Sequence, residues 1–169
     1  RIKRFLSEVQ GGIFSKTIWL RDDVGYNQDA KKEVKTFNEE SVFDTPKPER
    51  LIQRIFQLGS NSNDIILDSF AGSGTTAAVA HKMNRRYIGI EMGEHARTHC
   101  IPRLQKVIEG EQGSISESVK WQAGGGFRFY TLGETVFLAD GSINPAVRFK
   151  ALAAYVWHFE TGQPAAMDF

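Results

Sequence analysis

The hydrophobic pattern is clearest at residues 64–83, where a short apolar run leads into a glycine turn and then a helical pattern. The run is Ile-Ile-Leu between two aspartates, and such a run is typical of a buried parallel strand. Gly72 and Gly74 form the turn, where the absence of a Cβ lets the backbone approach a ligand closely. Residues 75–83 predict a helix. Because a strand, a glycine turn and a helix open a βαβ unit, the stretch predicts an α/β fold.

A second predicted strand, residues 86–91, ends in an acid, Glu91. In nucleoside-binding βαβ units, an acid about 20 residues beyond the glycine turn accepts hydrogen bonds from ribose hydroxyls. Glu91 follows Asp68, at the end of the first strand, by about this separation. The intervening helix presents free N–H groups and a positive dipole end at the turn, which favours an anionic group. The arrangement indicates a ligand that contains a nucleoside.

Further helices are predicted on either side of this unit. One follows Pro46 and Pro48, carries an amphipathic stripe that faces a sheet, and ends at Gly59 as a carboxyl-terminal cap. Another covers residues 95–109 and is bent or started late by Pro102. These elements complete the pattern of helices alternating with strands.

The carboxyl-terminal part has its own pattern. Asn144 and Pro145 predict an N-cap and a first helical residue, and the helix runs to about Phe159 with a broad apolar face suited to an interface. Residues 110–117 are polar and rich in Gly and Ser, which predicts a linker that ends the nucleoside-binding unit. Weaker patterns predict a strand at 13–20, a short helix at 30–36, and a hairpin formed by 119–121 and 127–132.

Composition narrows the class of protein. The chain has 169 residues, 41% hydrophobic and 24% charged, which is typical of one soluble globular domain. Its single cysteine, Cys100, excludes an intrachain disulfide and suits a reducing cytoplasm. We see no apolar run long enough to span a membrane and no signal peptide. The net charge of +1 gives no overall attraction to nucleic acid, so DNA contacts would need local clusters such as 1–4 or 82–86, although such clusters are more often solvated surface.

Two other kinds of site are weighed against the nucleoside site. Gly72, Gly74 and Ala77 fit the permissive form of the dinucleotide fingerprint, so a nicotinamide cofactor stays open, whereas a P-loop is rejected because no Lys follows the glycines. His95 and His99 are four residues apart and precede Cys100, but no acid or second cysteine completes a metal-site pattern. We therefore predict no metal site.

Two motifs carry a family resemblance. Residues 68–75, Asp-Ser-Phe-Ala-Gly-Ser-Gly-Thr, resemble the S-adenosylmethionine loop D-x-F-x-G-S-G-T of DNA amino-methyltransferases. Residues 43–52 resemble the T-x-K-P-x-x-L-(I/L) motif that precedes this loop in the β-class arrangement. With weaker similarity at 124–130 and 151–162, the chain from about Phe43 onward resembles the methyltransferase (modification) subunit of type III restriction–modification systems, a β-class adenine-N6 DNA methyltransferase.

The resemblance implies a fold and a cofactor. The fold is α/β, a partial Rossmann-like S-adenosylmethionine-dependent methyltransferase sheet with a small α+β carboxyl-terminal extension. Residues 1–42 would end a target-recognition or linker region, 43–110 would bind S-adenosylmethionine, and 111–169 would form a β-hairpin and helix extension. The residues expected to bind the cofactor are Thr45, Lys47, Pro48, Asp68, Phe70, Gly72, Gly74, Thr75 and Glu91.

Individual roles follow from the same resemblance. Thr45, Lys47 and Pro48 would line the methionine end of the cofactor. Independently of the resemblance, an aspartate at position 68 is expected to cap the turn by accepting hydrogen bonds from backbone N–H groups, and at a cofactor site it would also reach the ammonium group of the ligand. Phe70 would pack at the cofactor loop.

Catalytic residues are not expected in this chain. The resemblance implies a (D/N)-P-P-(Y/F/W) motif that holds the flipped target base, and the sequence contains no Pro-Pro. In the β-class order that motif lies upstream, so we expect this chain to be the carboxyl-terminal portion of a larger subunit and to transfer no methyl group alone. The resemblance also implies double-stranded DNA, a restriction subunit and a second copy as partners, in a bacterial cytoplasm. Three alternatives stay open: a cytosine-N4 methyltransferase, a fragment of an NAD-dependent dehydrogenase, and a non-catalytic DNA-binding or assembly module.

Overall fold

The computed structural model describes residues 16–40 and 43–165, and the chain divides after Phe127 into two compact units. The first unit alternates helices with two strands, and the second contains one long helix. In chain order the elements are α1 (Arg21–Val24), α2 (Asn27–Lys35), α3 (Glu49–Gly59), β1 (Ile65–Asp68), α4 (Thr75–Lys82), β2 (Arg86–Gly89), a π-helical turn (Ala96–Cys100), α5 (Ile101–Ile108) and α6 (Phe149–Thr161).

The predicted βαβ unit is confirmed. β1 and β2 pair in parallel, with Ile65 opposite Arg86 and Asp68 opposite Gly89, and α4 connects them. In the part of the chain that the structure describes, these two strands are the whole of the sheet. The first unit is therefore an α/β structure with a small parallel sheet.

The core of the first unit lies between this sheet and the helices. The apolar stripe predicted along α3 is confirmed in part: Ile52 and Phe56 pack in the core, whereas Ile55 and Leu58 are 43% and 51% exposed. The buried centre consists of Phe56, Val79, Ala80 and Ile115, and the partly buried residues around it are Ile52, Ile66, Met83, Tyr87 and Val119.

The expectation that the first strand is fully buried is wrong for one face. Ile66 packs on the core, whereas Ile65 and Leu67 are 54% and 63% exposed. Ile88 and Ile90 of the neighbouring chain segment are exposed as well. An unbroken apolar run predicts cover on both faces of a sheet, and the described helices that contact the strands do so through the face that carries Ile66.

The predicted linker at 110–117 is part of the packed structure. Ile115 is 1% exposed and belongs to the core, and Ser116 is fully buried beside it. Because the residues around Ile115 are polar, the sequence pattern did not identify Ile115 as a core residue. The first compact unit accordingly extends to Phe127, whereas the sequence pattern put a boundary after residue 110.

The predicted β-hairpin is absent from the structure. Residues 114–120 form successive turns and residues 121–135 have no regular structure. Trp121 donates its indole N–H to the carbonyl of Val107 at 2.8 Å, which holds the segment against α5 instead of in a strand. In the described part of the second unit, strand pairing is limited to one bridge between Phe137 and Ile143. The expected α+β character of the extension is thus wrong in its β-hairpin and right in its helix.

The last helix begins later than predicted. The Asn144 side chain accepts a hydrogen bond from the N–H of Ala146 at 2.9 Å, so it caps a turn, and α6 starts at Phe149. The helix runs two residues past the predicted end at about Phe159, and Gly162 ends it in a left-handed conformation. None of the α6 side chains is buried, and its suitability for an interface stays a prediction.

The remaining predictions differ in detail. The short helix at 30–36 is present as the longer α2, and the bend near Pro102 appears as the π-helical turn before α5. Gly59 is the last helical residue and Ser60 the cap. The strand predicted at 13–20 lies outside the described residues up to 15, and residues 16–20 contain no strand. No described helix is long and apolar enough to cross a membrane.

Candidate cofactor-binding site

The glycine turn begins where β1 ends and is tightly packed from two sides. Gly72 and Gly74 have φ values of +53° and +77°, in the left-handed region that favours glycine. A Cβ on Gly72 would lie 3.1 Å from the ring of Phe43, and a Cβ on Gly74 would lie 3.1 Å from Cα of Cys100. The turn therefore has no room for side chains at these positions, and α4 begins directly after Gly74.

Glu91 reaches back from the end of the second strand to hold this turn. Its Oε2 accepts a hydrogen bond from the N–H of Gly72 at 2.8 Å, and its Oε1 accepts one from Gly93 at 2.9 Å. The bond from Gly93, together with that from Gly72, lowers the pKa of the Glu91 carboxyl. Each carboxylate oxygen has a second acceptor site, so Glu91 can bind ligand hydroxyls while it holds the turn.

Two further contacts fix the turn. The carboxylate of Asp68 accepts a hydrogen bond from the N–H of Phe70 at 3.0 Å, which is the capping contact expected from the sequence. On the far side, the Cys100 thiol donates to the carbonyl of Gly72 at 3.3 Å. Burial raises the pKa of this thiol to about 11, so it keeps its proton near neutral pH.

A cavity of about 260 Å³ opens between this turn and the loop before α3. It lies at the carboxyl ends of the strands, where open α/β sheets bind their ligands. Phe70, 90% exposed, stands at its edge. Six of the nine residues predicted for the cofactor line the cavity, namely Thr45, Lys47, Asp68, Phe70, Gly72 and Thr75.

The other three predicted residues are not part of the lining. Pro48 is buried and packs beside Gly25, where it directs the chain into α3. Gly74 lies at the start of α4 against Cys100, and Glu91 accepts the hydrogen bond from the N–H of Gly72 at the edge of the turn. Lys47 folds back, and its ammonium donates to the carbonyl of Thr45 at 3.3 Å.

A buried network of charged side chains lies behind the cavity. Glu49 accepts hydrogen bonds from Lys82 at 2.8 Å and from Arg103 at 3.0 Å, and all three residues are at most 4% exposed. Burial acts to raise the pKa of Glu49, but the charges of Arg103 and Lys82 outweigh it and the pKa is lowered. Glu33 and Glu111 complete the network as further partners of the two cations.

Burial dominates at Glu33 and raises its pKa, although the Arg103 charge opposes this. A second cavity, of about 220 Å³, lies beside Glu33, Glu49 and Arg103.

The basic cluster at 82–86, considered above for DNA contact, is not entirely on the surface. Lys82 is buried and pairs with Glu49, so this cation is not available to DNA.

The sequence analysis did not identify Glu49 and Arg103, the buried charged residues next to the segments that flank the cavity. Glu49 directly follows Pro48, and Arg103 shares the buried face of α5 with Leu104 and Val107. A charged residue at a position of the apolar stripe is a signal that could have identified Arg103. Among the described residues, no group of three or more His, Cys, Asp and Glu side chains is arranged to hold a metal ion.

Comparison with known proteins identifies the family of the chain. A family model described as DNA methylase matches residues 3–100, which include both loops that face the cavity. Three curated relatives are similar over stretches of different length. The probable type III restriction-modification enzyme HindVI Mod subunit of Haemophilus influenzae is 47% identical over 120 residues, which is 69% of this chain and 15% of that protein.

The other two relatives match shorter stretches. The type II methyltransferase M1.MboII of Moraxella bovis is 58% identical over 48 residues, 28% of this chain and 18% of its own length. The type III restriction-modification enzyme StyLTI Mod subunit of Salmonella typhimurium is 43% identical over 63 residues, 37% of this chain and 10% of its own. The chain thus spans between 10% and 18% of these relatives. With a family match across more than half of its length and both of its motifs inside that match, the chain belongs to the DNA methylase family.

Proposed function

We propose that this chain supplies the S-adenosylmethionine site of a DNA methyltransferase that modifies adenine at N6. The observation that carries the proposal is the cavity, because two loops that are far apart in the sequence face each other across it at the carboxyl ends of two parallel strands. When bound, S-adenosylmethionine supplies a methyl group on a sulfonium for direct displacement by the target amino group. The β1 and β2 pair would then be part of a larger Rossmann-like sheet.

The chemistry of the side chains fits the cofactor. Glu91 has free acceptor sites for the ribose hydroxyls, and Asp68 offers a carboxylate on the cavity wall to the ammonium group. Gly72 and Thr75 line the cavity, and the left-handed φ values of Gly72 and Gly74 shape the turn at its edge. Phe70 covers the edge, and the remaining contacts, to the methionine end, would come from Thr45, Lys47 and Pro48.

The choice of substrate rests on the relatives. Two of them are Mod subunits of type III restriction-modification enzymes, and the similarity to these subunits favours adenine N6 over cytosine N4. The dehydrogenase interpretation loses support because the loop at 43–48 has no role in it and the family is that of DNA methylases. For the whole protein we propose double-stranded DNA as substrate, a restriction subunit and a second copy as partners, and a cytoplasmic location.

Calorimetric titration tests the cofactor. We expect the protein to bind S-adenosylmethionine and S-adenosylhomocysteine, and we expect no heat of binding with NAD, because the loop at 43–48 completes a cavity for the methionine end. S-adenosylhomocysteine, the product that remains after methyl transfer, serves as a chemically stable control. Binding of NAD in the absence of binding to either methionine-derived ligand would overturn the proposal in favour of a dehydrogenase.

The pH dependence of binding should report Glu91. The pKa of this carboxyl is lowered from 4.5 in the folded protein, so its stabilising contacts are fully present above pH 4.5 and are lost as the pH falls through the folded value. Affinity for S-adenosylhomocysteine is therefore expected to stay constant between about pH 7 and pH 5 and to decline only below pH 4.5 on account of Glu91. A decline already complete at pH 5 would contradict this assignment.

A further inference from the structure

Arg103 bonds to segments on both sides of the cofactor cavity without lining the cavity itself. Its guanidinium is buried, with only 3% of the residue exposed. One nitrogen, Nη1, donates to the hydroxyl of Thr75 at 2.8 Å and more weakly to the carbonyl of Ser73 at 3.5 Å. The other, Nη2, donates to the carboxylate of Glu49 at 3.0 Å and to that of Glu33 at 3.4 Å.

Three of these partners, Ser73, Thr75 and Glu49, belong to the two segments that flank the cavity. Ser73 and Thr75 are on the glycine-turn side, and both line the cavity. Glu49 is the first residue of α3 and follows the loop that forms the other side. A planar guanidinium presents its donors in a fixed fork, so a single side chain sets the distance between the two elements. A lysine ammonium at the same position would keep the charge without that geometry.

We propose that Arg103 is a positioning residue of the cofactor site, which sets the spacing between the glycine turn and the loop before α3. The inference rests on the proposed function for its ligand, because the spacing matters for binding only if the cofactor occupies the cavity. Arg103 does not line the cavity between the loops and acts through Thr75 and Glu49.

The chain offers a matched control in Arg85. This arginine is less buried than Arg103, but it too donates several hydrogen bonds, to the carbonyl of Met83 at 2.7 Å and to the carbonyl and hydroxyl of Ser60 at 2.9 and 3.2 Å. Neither Ser60 nor Met83 lines the cofactor cavity. Arg85→Lys therefore removes a structural guanidinium of the same kind without touching the walls of the site.

The first test compares ligand affinity in the two variants. Arg103→Lys is expected to weaken binding of S-adenosylhomocysteine about tenfold, whereas Arg85→Lys leaves the affinity unchanged, and the melting temperature of each variant reports the purely structural loss. In a Thr75→Val background, Arg103→Lys should cost less affinity than in the wild type, because the contact through which it acts is already gone. Equal affinities of the two lysine variants would overturn the proposal.

A second test needs no ligand. Amide hydrogen exchange at residues 72–76 is expected to be faster in Arg103→Lys than in the wild type and unchanged in Arg85→Lys, because only the first variant releases the turn. If the wild-type protein binds no S-adenosylhomocysteine, the proposed function fails and the exchange rates alone decide the role of Arg103. Equal exchange at 72–76 in the two variants would then overturn it.

Discussion

Replacement of Glu49 by alanine is expected to lower the free energy of unfolding by about 3–5 kcal/mol. The Glu49 carboxylate is the shared partner of Lys82 and Arg103, whose side chains are 0% and 3% exposed. Removal of one member of a buried ionic group leaves the remaining charges insufficiently paired in a medium that solvates them poorly. Since small domains are stable by only about 5–15 kcal/mol, the loss would consume much of the total.

Urea unfolding followed by circular dichroism measures this loss, with Glu109→Gln as the control. Glu109 faces Lys106 at 3.8 Å in an exposed pair, and such pairs contribute about 0–1 kcal/mol. Glu49→Gln keeps the side-chain volume and should retain most of the destabilisation, which separates the charge from the cavity that alanine leaves. A Glu49→Ala variant as stable as Glu109→Gln would mean that the cost of burying the carboxylate cancels its two contacts.

The elements that the sequence predicted well are those whose signals are local. The apolar run at β1, the two glycines and the helical pattern of α4 stand within about 20 residues of one another, and each is a direct consequence of backbone geometry. The position of Glu91 followed from the same spacing. Its contact with the N–H of Gly72 did not, because spacing places an acid at the right edge of the sheet without fixing where its oxygens point.

The elements that the sequence predicted poorly depend on contacts between distant parts of the chain. Glu49 and Arg103 are 54 positions apart, and Ser114 bonds to Glu33 across 81 positions. No window of local pattern contains both partners, so the local pattern does not identify Arg103 as a buried partner of Glu49. The segment 110–117 shows the same limit, because one buried residue, Ile115, anchors a stretch whose average composition is that of a linker.

The false β-hairpin has a related cause. The alternation at 127–132 satisfies the local preference for a strand, but a strand also needs a partner for its backbone groups. Its expected partner at 119–121 is held elsewhere, since Val119 packs on the core and Trp121 donates to Val107. Tertiary contacts of the partner segment thus overrode the local preference.

The replacement of Glu91 by glutamine is expected to weaken cofactor binding about 100-fold. Both Glu91 oxygens accept hydrogen bonds from backbone N–H groups, of Gly72 and Gly93, and hydrogen bonds to a charged group contribute about 1.5–3 kcal/mol each. An amide removes the charge and turns one acceptor into a donor that would face a backbone N–H. The glycine turn then loses its fixed position, and the ribose loses its acceptor; about 2.7 kcal/mol lost from binding corresponds to the 100-fold change.

Glu94→Gln provides the matched control, because Glu94 is an exposed acid on the same segment and lies outside the cavity lining. Titration with S-adenosylhomocysteine at pH 7 should give the wild-type affinity for this variant and the large loss only for Glu91→Gln. Amide exchange at Gly72 separates the two roles of Glu91, since it becomes faster when the hold on the turn is lost. Slow exchange at Gly72 together with weak binding would mean that Glu91 acts on the ligand alone. Unchanged affinity would mean that the nucleoside does not reach this carboxylate and that the cavity binds its ligand in another orientation.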